Sequence, residues 1–415
     1  MTPAARIQEA IAILEALDET QRPADRFIRD WFRKRRYAGS KDRASVAERV
    51  FSVLRHRASL AWRMQSDSPR ALLIAALLEE DVAPAEIYGL FSGDGHAPDK
   101  LNADERAAIN TPPRSAPPLP VMCEFPAWLE RELSRAFGED LEREMTAFNE
   151  RAAIDLRVNT LKAERDHVLG ELLEAGFEAA ASRYVPDGIR IAPGPRAAAL
   201  QRHALYRSGA FEFQDEAAQI AVVLASAKSG MNVLDCAAGA GGKSLALAAA
   251  MENKGRIVAC DIRAAALAEL RERASRAGAS IIVTQEKPPP EEFDLVFLDA
   301  PCSGSGTWRR QPELKWRLTQ ERLDTLTRTQ DALLAEAATH VKAGGRLVYA
   351  TCSILPSENE DRATRLGHPF RAVAANAMWP KENGELPPSL GAVFHASPFK
   401  TATDGFFTAI FERTS

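Results

Sequence analysis

The chain has 415 residues, 46% hydrophobic and 27% charged, with a formal net charge of −4; this is the balance of an ordinary soluble protein of two or three domains and argues against a simple nucleic-acid coat. No apolar run approaches the roughly 18 residues of a membrane span: the best, Ala71 to Leu78, is closed by Glu79 and Glu80. The N-terminus has none of the marks of a secretory signal, so a cytoplasmic protein with no membrane partner is expected.

The first 108 residues read as all-helical, with a period close to 3.6 at Ile7, Ile11, Leu14 and Leu17 and again at Val46, Val50, Phe51 and Leu54. Gly39-Ser40 and Ser68-Pro69 mark breaks between helices. Between Arg22 and Arg63 stand thirteen Lys or Arg against four Asp or Glu, including Arg33-Lys34-Arg35-Arg36. Such a cluster suits either a phosphate backbone or a solvated helix face. Asn110 to Pro120 holds five prolines in eleven residues and is expected to be a linker.

Beyond it, residues 121–208 predict a small α+β module. Two short helices up to Phe148 precede an alternating strand from Ile154 to Asn159, a helix from Glu164 to Ala175 stopped by Gly176, and further strands at Phe177 and Gly188 to Ile191. Arg157, Asn159 and Lys162 are placed either to face a nucleic acid or as plain surface residues. From residue 209 to 415 strands alternate with helices: Asn232 to Asp235, Arg256 to Cys260, Ser280 to Val283, Asp294 to Leu298 and Arg346 to Ala350. This alternation predicts an α/β fold with a parallel, doubly wound sheet, whose ligands sit at the carboxyl ends of the strands.

The first of those ends runs Asp235-Cys236-Ala237-Ala238-Gly239-Ala240-Gly241-Gly242-Lys243-Ser244. A phosphate-cradling loop needs a glycine where Ala237 stands, and a dinucleotide fingerprint needs one where Ser244 stands. A nucleoside cofactor without a pyrophosphate remains, and S-adenosylmethionine suits it. Asp261, at the next strand end, is placed to accept from ribose hydroxyls or to cap the helix that follows. Asp299 precedes Pro301-Cys302, and Thr351-Cys352-Ser353 follows the last strand, so two thiols fall on loops of one sheet. The other cysteines are Cys123, Cys236 and Cys260; an odd, scattered set with no Cys-x-x-Cys predicts no disulfide framework, and the isolated histidines predict no metal.

A thiol pair, a carboxylate and a nucleoside cofactor suggest methylation of a pyrimidine, whose carbon 5 becomes nucleophilic only after a thiolate adds to carbon 6. The motifs carrying this chemistry are Cys236-Ala237-Ala238 with Gly241 to Ser244, Asp299-Ala300-Pro301-Cys302 with Arg309 to Trp316, and Ala350 to Ser353 with Pro356 to Glu360. Asp404 to Ala409 and Gln214 to Ala217 complete the set. Through them the chain resembles the RNA cytosine-5 methyltransferase family (NOL1/NOP2/Sun), in its bacterial RsmB-like branch. The resemblance implies a Rossmann-like S-adenosylmethionine-dependent domain, the α+β module as an RNA-binding module, and an N-terminal domain similar to the NusB antitermination factor. It implies Cys352 as nucleophile, Cys302 as the thiol that assists release, and Asp299 at the target base. Cys236, Ala237, Ala238, Gly239, Ala240, Gly241, Gly242, Lys243, Asp261 and Asp299 are the implied cofactor contacts. The glycine loop is one residue longer than the family's usual form. 16S ribosomal RNA is the implied partner, with transfer RNA chemically equivalent, and a monomer is expected. Two further readings stand beside it: a P-loop nucleotide hydrolase, from Gly242-Lys243-Ser244, and a non-catalytic RNA-binding or assembly factor. DNA cytosine methyltransferases use the Pro-Cys thiol as nucleophile, so the order of the two thiols is itself a prediction. Lys243, Arg309, Arg310 and Lys315 are candidates to lower the attacking thiol's pKa.

Overall fold

A computed structural model describes residues 1–35, 37–194 and 197–414. Arg36 of the basic run lies outside the described residues. The chain divides into two units, Met1–Glu150 with Trp308–Arg317, and Arg151–Thr307 with Leu318–Ser415.

The first unit is helical. Thr2 and Ser68 accept from the backbone N–H groups of Ala5 and Ala71 and so start the helices Pro3–Asp18 and Pro69–Glu79, an interaction worth about 1 kcal/mol each. The second of these helices is buried on every side from Ala71 to Leu77, which makes it the centre of the bundle. The proline-rich stretch is non-helical from Thr111 to Pro118; Leu119–Met122 then forms a short helix, since Pro120 in a first turn needs no N–H partner. Much of the basic cluster is internally compensated: Arg22 and Arg33 pair with Asp30, Arg29 with Asp25, Arg35 with Glu9, Arg49 with Glu80 and Arg57 with Asp18.

Helices Glu130–Phe137 and Leu141–Asn149 group with this unit, and so does Trp308–Arg317. The reason is aromatic packing: Phe148 meets the buried Trp308 edge to face with centroids 5.9 Å apart.

The second unit holds two sheets. The smaller is antiparallel, in the order β2-β3-β1-β4, from β1 (Ile154–Val158), β2 (Ala179–Ala181), β3 (Gly188–Ile191) and β4 (Phe211–Phe213). Phe211 is buried in its core, so this sheet runs past the expected boundary at residue 208. The larger sheet is Rossmann-like. Its parallel part is β7-β6-β5-β8-β9, built from β5 (Asn232–Asp235), β6 (Arg256–Cys260), β7 (Ile282–Gln285), β8 (Phe293–Asp299) and β9 (Val341–Thr351). Antiparallel β10 (Phe370–Val373), β11 (Phe394–Ala396) and β12 (Phe406–Arg413) complete it, with β12 beside β9. The sheet is therefore mixed, not purely parallel. The fully buried runs Leu295–Leu298 and Leu347–Ala350 explain why its centre was legible as apolar strands.

Candidate active site

A cavity of about 700 Å³ opens at the carboxyl ends of β5, β6, β8 and β9. It is lined by Asp235 to Ala240, Gly242, Lys243, Asp261, Asp299, Cys302 and Cys352. Of the expected site residues only Gly241 is not on its wall. That glycine instead provides the turn: its φ is +84°, and a Cβ there would stand 1.9 Å from Leu270 Cδ1, so any side chain is strained there and has to displace Leu270.

The lengthened loop is held from behind by two arginines. Arg273 donates to Ala240 O at 2.7 Å and Arg157 to Gly242 O at 2.7 Å. Arg157 also bonds Gln214, while Arg273 and Arg276 both pair with Glu212. Arg157 lies on β1, where it was a candidate to face a nucleic acid or an ordinary surface residue; it does neither. Asn159, also buried, donates to Gly209 O and Ala277 O, whereas Lys162 is exposed, as an ordinary surface residue is, and donates to Ser208 O and Arg276 O. All three fasten the small sheet to the larger one. Alternation along a strand shows which face a side chain takes, but not what covers that face.

Asp261 accepts from Gly239 N at 2.9 Å and from the backbone and guanidinium of Arg263, which hold its carboxyl below the ordinary range. Next to it Ile262 is 88% exposed at the cavity rim. An exposed isoleucine beside a ribose-suited carboxylate offers an apolar face for a heterocycle. Sequence reasoning missed it, although an apolar residue directly after a strand-end carboxylate was a visible signal. Ser244 is buried and donates to Asp235 Oδ2 at 2.6 Å. Its hydroxyl is thus spent inside the fold, which does not suit the cation-binding role of a P-loop Ser/Thr. Burial pushes the Asp235 carboxyl up to about 6 and the Cys236 thiol well above its ordinary value.

The two thiols meet. Cys302 Sγ lies 3.3 Å from Cys352 Sγ. The hydrogen bond with Cys352, together with burial, holds the Cys302 thiol well above its ordinary pKa, so it stays protonated and can donate to its neighbour. Lys243 forms an ion pair with Asp299 and stands 5.3 Å from the Phe406 ring centroid. Burial acts to lower the Lys243 pKa, but the charges of Asp299 and Cys352 outweigh it and the ammonium is held above its usual value. Of the four cations suggested to act on the thiol, Lys243 is the one on the cavity wall. Lys315 belongs to the helical unit, where its ammonium is buried, donates to Asn149 Oδ1 at 2.9 Å and is pushed down to about 7 by burial. Arg309 and Arg310 lie in that unit as well. Among the described residues no cluster of His, Cys, Asp or Glu is suited to a metal ion, and no helix is long and apolar enough to cross a membrane.

Close approach of backbones fixes the thiol loops. Gly306 donates to Cys352 O at 3.0 Å and accepts from Gly405 N at 2.8 Å. A Cβ on Gly306 would fall 1.9 Å from Gly405 O.

Residues 221–412 match the family model described as 16S rRNA methyltransferase RsmB/F, and residues 125–196 match that of its ferredoxin-like domain. The chain is 32% identical over 295 residues to a probable ribosomal RNA small subunit methyltransferase B of Synechocystis, covering 69% of this chain and 66% of that protein. Ribosomal RNA small subunit methyltransferase B of Escherichia coli is 33% identical over 244 residues, 56% of this chain and 55% of that one. The chain thus spans from about half to about two thirds of the length of these curated relatives. Among solved structures, PH0851 is similar with a TM-score of 0.76 at 26% identity, over 100% of this chain and 99% of that one. A methyltransferase homolog from Pyrococcus horikoshii gives 0.60 at 26% identity, over 71% and 97%.

Proposed function

The chain belongs to the RsmB/F family of methyltransferases, and from that premise we propose that it transfers a methyl group from S-adenosylmethionine to carbon 5 of a cytosine in RNA, 16S ribosomal RNA being the substrate its relatives favour. The observation that carries this reading is the pair of thiols 3.3 Å apart on a cavity that also presents the Lys243–Asp299 ion pair.

The cofactor, when bound, supplies an electrophilic methyl group. The cavity fits it: the backbone from Cys236 to Lys243, including Ala237, Ala238, Gly239, Ala240 and Gly242, faces the methionine part. Asp261 is placed for the ribose and Ile262 for the adenine face. Asp299, paired with Lys243, sits where it can bind the base. Cys352 then forms a bond to carbon 6 through its thiolate, with electron density moving to carbon 5. Once carbon 5 has gained the methyl group, a solvent water takes its proton, the electron pair re-forms the 5,6 double bond, the carbon 6–sulfur bond breaks and Cys352 leaves as thiolate. Cys302, protonated beside it, donates a hydrogen bond to the departing sulfur. A base buried in a stacked helix cannot reach this cavity, so extrusion of the cytosine or a single-stranded target is required.

Bisulfite sequencing of total RNA from cells with and without the gene tests the proposal. A cytosine in 16S rRNA protected only when the gene is present is expected. Protection confined to transfer RNA would move the substrate, and no protected cytosine in any RNA would overturn the reaction.

A further inference from the structure

Glu358 is fully buried, and its carboxylate is shared between the loops that carry the two thiols. Oε1 accepts from Ser303 N at 2.8 Å and from Gln330 Nε2 at 3.0 Å. Oε2 accepts from the hydroxyls of Ser303 and Ser353, each at 2.5 Å. Ser303 follows Cys302 and Ser353 follows Cys352. One side chain therefore grips the residue next to each thiol, and all four bonds come from uncharged donors.

The surroundings fix the carboxylate itself. Tyr349 donates to Glu358 O at 2.6 Å, and Gln330 also reaches Pro301 O at 3.0 Å, tying the same support to the residue before Cys302. Asn359 bonds Thr351 Oγ1 and Ser353 O on either side of Cys352. A buried carboxylate is costly unless its lone pairs are filled. Here they are filled by groups whose common feature is their position around Cys302 and Cys352. The charge has a consequence, because Glu358 also contributes to holding the Cys302 thiol protonated.

We propose that Glu358 is a positioning residue that sets the separation of Cys302 and Cys352. It rests on the reading of these two thiols as nucleophile and release group, but the geometry can be tested without methyl transfer. Mild oxidation with diamide, an azo compound that takes up two electrons and two protons as two thiols form a disulfide, reports how often the sulfurs meet. In wild type the Cys302–Cys352 disulfide, followed by mass spectrometry, is expected at least 10-fold faster than in Glu358→Ala. With labelled cofactor, Glu358→Ala should lower kcat about 100-fold while the KM for RNA stays within twofold. Glu358→Gln should fall between, since the two serine hydroxyls can turn and donate or accept. Should Glu358→Ala fail to fold, Glu358→Gln alone decides. A folded variant that closes the disulfide at the wild-type rate overturns the proposal, whatever its kcat. If the disulfide slows but wild type itself transfers no methyl group to RNA, the placement stands and the proposed reaction falls.

Discussion

Single side chains at the cavity carry charges that the fold has displaced from their ordinary behaviour, and Asp235 shows the consequence for stability. The unfolded carboxyl titrates near pH ~4, whereas burial raises the folded one to about 6. The folded state therefore holds the extra proton between these values. The stability it contributes is fully present below pH ~4 and is lost as the pH rises through about 6, on the order of 2–3 kcal/mol. Asp235→Asn lacks this titration and keeps an oxygen for Ser244. The melting temperature of wild type relative to Asp235→Asn is expected to fall between pH 4 and 6 and then level off. A difference that is flat across that range would contradict the burial argument.

Elements meet at the site through backbone, and this sets what substitution costs. In Gly306→Ala the new Cβ meets the Gly405 backbone, and neither backbone can retreat without moving Cys352 or Phe406. The expected cost is about 1–3 kcal/mol or more, with methyl transfer reduced at least 100-fold. Thermal denaturation and single-turnover rates would check both. Arg157 gives a complementary case, since it holds the Gly242 carbonyl from the small sheet. Arg157→Met is expected to weaken S-adenosylmethionine binding about 10-fold by calorimetry, with RNA affinity little changed; loss of RNA affinity alone would return Arg157 to a substrate-facing role.

The same elements show what sequence can convey. The parallel strands were legible because their apolar runs are short and end in Asp235, Asp261 and Asp299, so the cavity residues could be named from strand ends. β12 escaped notice because Phe406 to Phe411 carried a motif whose strand character was not weighed, although it pairs with β9 along six residues. The assignment of Trp308–Arg317 to the helical unit was not legible either. Its Trp, Glu and Lys look like surface chemistry until Phe148, Ala24 N and Asn149 are found beside them.

At the scale of the whole molecule, a net charge of −4 coexists with a basic N-terminal cluster of which six arginines are paired with acids. In the proposed reaction Cys352 attacks the cytosine and Cys302 assists release, and this order is open to a direct test. Incubation with S-adenosylmethionine and RNA, followed by denaturing electrophoresis, reads it directly. Cys302→Ala is expected to accumulate an RNase-sensitive covalent protein–RNA band, because Cys352 adds and cannot be released efficiently; Cys352→Ala should give none. A band that accumulates in Cys352→Ala and is absent in Cys302→Ala would assign attack to the Pro301-Cys302 loop and contradict the account.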